Sequence, residues 1–280
     1  MLSNHLPLPV RLKLEEKDFF KISHYIHQHF GIKLPIAKLV LVESRLSKRL
    51  AQLNLQSFTD YVNYIFSTDG HVEQHALIDY ISTNKTDFFR EDVHFKFLEN
   101  YIRINKVARP LQIWSAACSS GEEPYSISMV LEEMKASKVF PSTYSVLGTD
   151  ISNTILNKAI RGEYAEKTLA TIPKDLVKKY FFVRDGKATV NVTLRQSMSF
   201  KRFNLIDNAQ YHSLSTKFDF IFCRNVLIYF DHPTQVKVIE HLVRQLAPGG
   251  FLFLGHCETL LGRNFPLTQI QPTIYQKTNA

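Results

Sequence analysis

"FDFIFCRNVLIYF", residues 218–230, begins as a buried β-strand, an apolar run from Phe218 to Cys223 interrupted only by Asp219. It then sets Arg224 and Asn225 in the middle of the run before Val226 to Phe230 resume it. Arginine is among the residues least often buried without a partner. A cation and an amide belong there if the strand stops at a ligand, because open parallel sheets bind ligands outside the carboxyl ends of their strands. The reading therefore depends on whether a parallel sheet surrounds this strand.

The flanking sequence supplies one. From residue 109 onward, "PLQIWSAA" reads as a strand, "EEPYSISMVLEEMKAS" as a helix, "YSVLGTD" as a strand and "SNTILNKAIRGEY" as a helix. Later come "MSFKRFNL", the strand "FDFIFC", the helix "TQVKVIEHLVRQLA", the stop "PGG" and the strand "FLFLGH". Alternation at these lengths predicts βαβ units around a mostly parallel sheet. The stretch "YFFVRDGKATVNVTL" interrupts that order. Its Asp185-Gly186 turn and the alternation of Val190, Val192 and Leu194 predict an inserted hairpin. After Asp231, Pro233 suits the first turn of the following helix.

Residues 1–84 have a different texture. "KDFFKISHYIHQHF" and "DYVNYIFSTDGHVEQHALIDYIST" carry apolar residues at helical spacing, broken by Gly31, Pro35 and Gly70. The clearest helix spans Pro35 to Leu53, with Leu39, Leu46, Leu50 and Leu53 on one face and Lys38, Arg45 and Arg49 on another. Charges on a helix most often form a solvated stripe, and a docking surface for an acidic partner is the second reading. His5, His24, His27, His29, His71 and His75 invite a metal hypothesis. Only His71 and His75 share a spacing of four, and no carboxylate or cysteine pattern supports them.

The whole chain is 280 residues long, 45% hydrophobic and 21% charged, as expected of a protein with a real core. No segment approaches the roughly 18 apolar residues of a membrane helix, and "MLSNHLPLPV" lacks the basic start and long apolar segment of a secretory signal, so none is expected. Cys118, Cys223 and Cys257 lie far apart, against both a zinc site and a disulfide framework, so a reducing cytoplasm is expected. The net charge of +8 is compatible with an acidic partner and equally with an ordinary basic enzyme.

The strand ends narrow the ligand. After the first strand comes "SAACSSGEEPYS", where Gly121 allows an unusual dihedral and the next helix starts with Glu122, Glu123 and Pro124. Carboxylates there disfavour a phosphate, and neither a dinucleotide fingerprint nor a P-loop is present. Asp150 ends the second strand, where a carboxylate is positioned for the hydroxyls of a ribose, and Ser152 can cap the following helix instead. Asn204 ends the next strand, and Arg224 and Asn225 end the fourth. Small, acidic, amide and cationic groups at four successive strand ends describe a nucleoside site without a phosphate clamp. S-adenosylmethionine (SAM) matches that profile.

The stretches "TDFFRE" (86–91), "WSAACSSGEEPYSI" (114–127), "GTDIS" (148–152), "FDFIFCRNVLIYF" and "PGGFLFLGHCE" (248–258) resemble the CheR family, chemoreceptor glutamate methyltransferases that use SAM. The resemblance covers nearly the whole chain. It implies a Rossmann-like α/β methyltransferase sheet over residues 85–280 with a small β-hairpin subdomain at about 178–200, preceded by an all-helical domain over residues 1–84. It further implies donor contacts from Asn84, Thr86 and Arg90, Glu123 beside the amino-acid part, Asp150 on the ribose, and Asn204 and Leu205 at the adenine. Arg224 and Asn225 would border the donor near its methyl group, with Tyr229 near the incoming glutamate, so that Arg90, Arg224 and Tyr229 form the catalytic set. The products would be a glutamyl methyl ester and S-adenosylhomocysteine, with no metal. The partner would be the cytoplasmic helical region of a chemoreceptor, approached by a monomer, with docking through Lys38, Arg45 and Arg49 and neither nucleic acid nor membrane insertion involved.

The turn "RDGKA" is shorter than the glycine-containing loop of members that dock on a receptor's terminal pentapeptide, which argues against such a tether. Glutamate is ionised at neutral pH, so a carboxylate attacking a sulfonium methyl needs no general base, only alignment. Two other classes remain open from sequence. An RNA methyltransferase would use the basic helix on phosphates and show salt-dependent binding. A SAM-binding regulatory module would bind the donor without turnover.

Overall fold

The computed structural model describes residues 12–260 and 264–278. The chain forms two compact units, Met1–Ser82 and Thr83–Ala280.

The first unit is helical: α1 (Glu16–Phe30), α2 (Leu39–Gln52), α3 (Phe58–Ile65) and α4 (His71–Ile81). Helix α1 buries Phe19, Ile22 and Ile26, spaced three and four apart on one face, and stops at Gly31, which takes the left-handed conformation (φ 72°). Ser57 caps α3 by accepting from the Asp60 N–H. Polar groups also reach the interior. Buried Glu73 accepts from the Tyr61 hydroxyl at 2.9 Å and from both Nε and Nη2 of Arg49, at 2.9 and 2.6 Å. Arg45 donates to the Ile81 and Ser82 carbonyls at the end of α4. Two cations of the expected docking stripe are thus engaged inside the unit, while Lys38 is exposed. Spacing on a helix cannot reveal partners 24 or 36 residues away. His71 and His75 are both exposed, and His5 lies outside the described residues. Among the described residues no cluster of three His, Cys, Asp or Glu side chains could hold a metal ion.

The second unit begins with α5 (Val93–Ile104) and alternates β1 (Leu111–Ser115), α6 (Glu122–Ala136), β2 (Tyr144–Asp150) and α7 (Asn153–Arg161). There follow β3 (Glu163–Ala165), α8 (Lys174–Tyr180), β4 (Phe181–Arg184), β5 (Lys187–Val190), α9 (Val192–Arg195), β6 (Met198–Arg202) and α10 (Asn208–Tyr211). The chain continues through β7 (Phe218–Cys223), α11 (His232–Gln245), β8 (Leu246–Leu254), β9 (Leu267–Gln271) and β10 (Ile274–Lys277). The main sheet has the order β6-β2-β1-β7-β8-β10-β9. Pairing is parallel from β6 to β8 and antiparallel at β10 and β9. Strand β7 is buried along its whole length, which is why its sequence is a near-continuous apolar run. Phe222 and Phe253 stack across β7 and β8 with ring centroids 4.3 Å apart. The one polar residue of the run, Asp219, is held by Arg109 at 2.6 Å and by the Gln112 N–H at 2.8 Å.

The insert is larger than a hairpin. Strands β3, β5 and β4 form a separate antiparallel sheet in that order. Its turn is Asp185-Gly186, both left-handed (φ 51° and 72°), as a two-residue hairpin turn requires. The third strand occupies Glu163–Ala165, where the sequence suggested the tail of a helix; α7 instead stops at Gly162 (φ 63°). The expected strand through Val192 and Leu194 ends earlier. Asn191 accepts from the Leu194 N–H and starts α9, which buries Leu194 and leaves Val192 exposed. Met198 already belongs to the main sheet, paired with Val146.

Candidate active site

The strand order reverses direction between β1 and β7, so their carboxyl ends flank the crevice where a doubly wound sheet takes its ligand. The loop after β1 is pinned on several sides. The Ala116 N–H donates to Phe222 O at 2.7 Å, and the Cys118 N–H to Thr149 O at 2.8 Å. Ser119 is left-handed (φ 50°), and its N–H reaches Asp150 Oδ2 at 2.9 Å. Gly121 (φ 97°) has no room for a side chain, since a Cβ would lie 2.9 Å from Ala159 Cβ and 3.0 Å from the Tyr164 hydroxyl oxygen. That hydroxyl donates to Ser120 O at 2.7 Å. Asp150 also accepts from the Ser152 N–H at 3.1 Å, while Ser152 itself caps α7.

At the end of β7 the guanidinium of Arg224 is buried. Its Nη1 donates to Glu123 Oε2 at 2.8 Å, and Nε and Nη2 donate to Glu91 Oε2 at 3.3 and 3.1 Å. Nη2 donates as well to the carbonyl of Arg90, and the group lies over the Phe95 ring. Glu123 takes a further bond from Ser115 Oγ at 2.6 Å. Burial pushes the Glu123 carboxyl up, opposed by Arg224 and Ser115. Burial would raise Glu91 too, but there the Arg224 charge and hydrogen bonds from Asn225, Arg224 and the His256 N–H win and hold it below the usual carboxylate range. Glu122 is buried and raised for the same reason as Glu123. Around the strand ends thus lie Glu91 and Glu123 on Arg224, Glu122 beside them, Asp150 on the Ser119 N–H and Glu258 on the Asn225 N–H. The Arg90 guanidinium donates to the Lys85 carbonyl at 3.0 Å.

The sequence-predicted residues divide into groups. Glu123, Arg224 and Asn225 come together around Glu91, joined by the backbone carbonyl of Arg90, whose guanidinium instead turns to the Lys85 carbonyl. Asp150 reaches Ser119, whose hydroxyl donates to Asn84 O at 3.1 Å. The Phe203 N–H donates to Asp150 O at 2.9 Å, which sets Asn204 and Leu205 just beyond that strand end. Asn204 Oδ1 accepts from the Ile206 N–H at 3.3 Å, and Leu205 O accepts from the Tyr211 hydroxyl at 2.9 Å. Thr86 and Tyr229 are half-buried, Tyr229 at the end of a short 3-10 turn, Leu227–Tyr229. Lys38, Arg45 and Arg49 belong to the helical unit. Sequence reasoning gave no role to Glu91, Glu258 or Ser115, although Glu91 and Glu258 end two of the motifs quoted above. Cys118 and Cys223 are buried, with thiols raised by burial, and Cys257 is exposed. A thiol reagent therefore meets Cys257 first.

The segment leading into the site is fastened on two sides. Phe88 packs edge-on against Tyr164 and Phe181 of the small sheet, with centroids 5.0 and 5.5 Å away, and Phe89 packs against Phe95 at 5.4 Å. Phe89 and Glu91 are both left-handed (φ 54° and 56°). Non-glycine residues in that region store strain and cluster at functional sites.

The all-alpha domain of CheR methyltransferases matches residues 17–82, and the SAM-binding domain of CheR methyltransferases matches residues 84–275. The chain belongs to the CheR methyltransferase family. It is similar to a chemotaxis protein methyltransferase of Borreliella burgdorferi, with 38% identity over 99% of this chain and 100% of the relative. A chemotaxis protein methyltransferase 2 of Pseudomonas aeruginosa is 39% identical over 92% of each chain. One from Escherichia coli is 37% identical over 94% of this chain and 92% of its own. This CheR family member is a SAM-dependent methyltransferase, and its site suits that donor. The acidic groups complement a sulfonium and an ammonium, Asp150 offers a carboxylate at the end of β2, and the N-terminus of α6 carries carboxylates where a phosphate would need open N–H groups.

Behind the CheR site, His94 is buried, with Nε2 2.9 Å from Thr273 Oγ1 and Nδ1 3.8 Å from Glu91 Oε2. Burial first, then the Arg224 charge, pushes its pKa down to about 3 against the pull of Glu91. An unfolded imidazole takes a proton near pH 6.5, so below that pH the unfolded state binds a proton that the folded state refuses and stability falls. Between pH 7 and 5 the loss attributable to His94 is about 2 kcal/mol. His94→Phe is expected to flatten the melting temperature against pH over this range by roughly 4–8 °C. Parallel curves for the two proteins would remove His94 as the cause.

Proposed function

We propose that this CheR family member transfers the methyl group of SAM to glutamate side-chain carboxylates of chemoreceptors in the cytoplasm, forming glutamyl methyl esters. The observation that carries the reading is the commitment of Arg224 to Glu91 and Glu123. With its guanidinium so engaged, Arg224 does not grip an incoming carboxylate, and a strong arginine fork would have weakened that carboxylate as a nucleophile. When bound, SAM supplies a methyl group activated by a sulfonium.

The residues of the chain bind, orient and exclude water. Asp150 accepts the ribose hydroxyls, Asn204 and Leu205 line the adenine, and Asn84, Thr86 and Arg90 close over the donor. Glu91 and Glu123 supply negative charge near the sulfonium, and Tyr229 donates a hydrogen bond that orients the acceptor. The acceptor is already ionised, with an ordinary pKa of about 4.3, so no residue takes its proton. Alignment in a near-attack geometry can itself be worth roughly 7–11 kcal/mol of barrier. Receptor docking falls to the helical unit, where Lys38 is the exposed cation of the predicted stripe.

The test uses methyl-labelled SAM with membranes that contain chemoreceptors. Label on the receptor band that alkali releases as methanol is the expected outcome, and mapping of the modified residues to glutamates completes it. Tight SAM binding with no base-labile label would overturn the receptor-glutamate reading. In the same assay Lys38→Glu is expected to reduce receptor labelling at unchanged SAM affinity. An equal loss of both would refute docking through Lys38. Arg49→Glu is a poor probe, because it would leave Glu73 buried against a like charge.

A further inference from the structure

We propose that Glu258 is a positioning residue of the donor site, a buried carboxylate that holds Asn225 and the turn bearing Tyr229 in place. The inference rests on the reading that Asn225 borders the donor. Glu258 Oε2 accepts from the Asn225 N–H at 2.8 Å and from the Gly255 N–H at 2.7 Å, while Oε1 accepts from the Ile228 N–H at 3.3 Å. One carboxylate therefore joins the loops at the carboxyl ends of β7 and β8. Carboxylates that accept several backbone N–H groups make strong, charge-assisted bonds.

Asn225 needs such a hold. It is left-handed (φ 57°), a conformation that costs a residue other than glycine energy and persists only where the surroundings enforce it. Glu258 grips its backbone, and Glu91 Oε1 accepts from its side-chain Nδ2 at 3.2 Å. Gly255 makes the approach possible, since a Cβ there would lie 2.5 Å from Asn225 Nδ2, 2.8 Å from its backbone nitrogen and 2.9 Å from Glu258 Oε2. Among the described residues no cation contacts Glu258, and the backbone N–H groups of Asn225, Gly255 and Ile228 hold its charge. Loss of the carboxylate frees Asn225 to relax toward the ordinary right-handed region and carries its amide away from the donor.

The test measures SAM affinity by titration calorimetry well below the melting temperature, where a role in stability alone leaves the affinity of the folded protein unchanged. Glu258→Gln puts an amide where two N–H donors converge and is expected to weaken SAM binding about tenfold or more, the scale of a lost charge-assisted bond. Glu258→Asp keeps the charge and should recover part of the loss; if Glu258→Gln does not fold, a measurable weakening in Glu258→Asp carries the same test. In an Asn225→Gly background, where the left-handed backbone is free of strain, Glu258→Gln should cost much less. Unchanged affinity in both Glu258 variants, with Asn225→Ala impaired, overturns the positioning role. Unchanged affinity in Asn225→Ala refutes the placement of Asn225 itself. Full additivity of Glu258→Gln and Asn225→Gly shows that Glu258 does not act through Asn225.

Discussion

Arg224→Met is expected to lower the melting temperature of the methyltransferase unit by roughly 10 °C and to abolish methyl transfer. The side chains of Arg224, Glu91 and Glu123 are 2%, 8% and 12% exposed. Removing the cation strands two buried carboxylates, and breaking a buried ion pair from one side costs about 3–5 kcal/mol. In proteins of comparable size each kcal/mol corresponds to about 2–4 °C. Methionine keeps most of the volume, so the loss reports charge rather than a cavity. Adding Glu123→Gln to Arg224→Met should restore part of the stability, because an amide is cheaper to bury than a stranded carboxylate. Methyl transfer should not return, since the Arg90 carbonyl and Glu91 have lost the group that held them. Thermal unfolding by circular dichroism checks both variants. A fall of under 3 °C in Arg224→Met would mean that the pairs contribute little net stability.

The second large effect concerns the donor. Asp150→Ala is expected to weaken SAM binding about a hundredfold or more. Hydrogen bonds to charged groups are each worth about 1.5–3 kcal/mol, and two ribose hydroxyls would lose their acceptor together. The Ser119 and Ser152 N–H groups would lose theirs as well, which loosens the loop after β1. Asp150→Asn keeps one acceptor oxygen and should fall between the two. Equilibrium dialysis with labelled SAM measures all three proteins. Unimpaired binding in Asp150→Ala would remove Asp150 from the ribose and leave it a purely structural link between two strand ends.

The parts of this molecule legible in sequence are those fixed by local chemistry. "FDFIFC" coincides with β7 because a strand buried on both faces must be apolar throughout. Asp231 caps α11 through the Thr234 N–H, with a proline in its first turn, as the sequence suggested. Asp185-Gly186 makes the expected turn. The illegible parts depend on partners distant in the chain. Glu91 meets Arg224 across 133 residues, and Glu258 meets Asn225 across 33. A motif shows that an acid is present and is silent about what it faces. Strand β3 escaped notice because three residues are too few to display a period of two. Arg45 and Arg49 looked like surface charge because a helical repeat gives the face and not the neighbour.

The two adjacent phenylalanines that precede Arg90 bear on how such enzymes could be recombined. Phe88 faces the small sheet and Phe89 faces the main core, so the insert shares a wall with the segment that leads into the site. The β-subdomain is not a detachable cassette. An exchange confined to residues 181–190 would change the ring that Phe181 presents to Phe88 and keep the one from Tyr164, leaving a mismatched wall. A graft with its seams before Glu163 and after Val190, carrying its own counterpart of Phe88, would move the wall intact. The small sheet and the turn that sets the Arg90 carbonyl against Arg224 are in that sense inherited together.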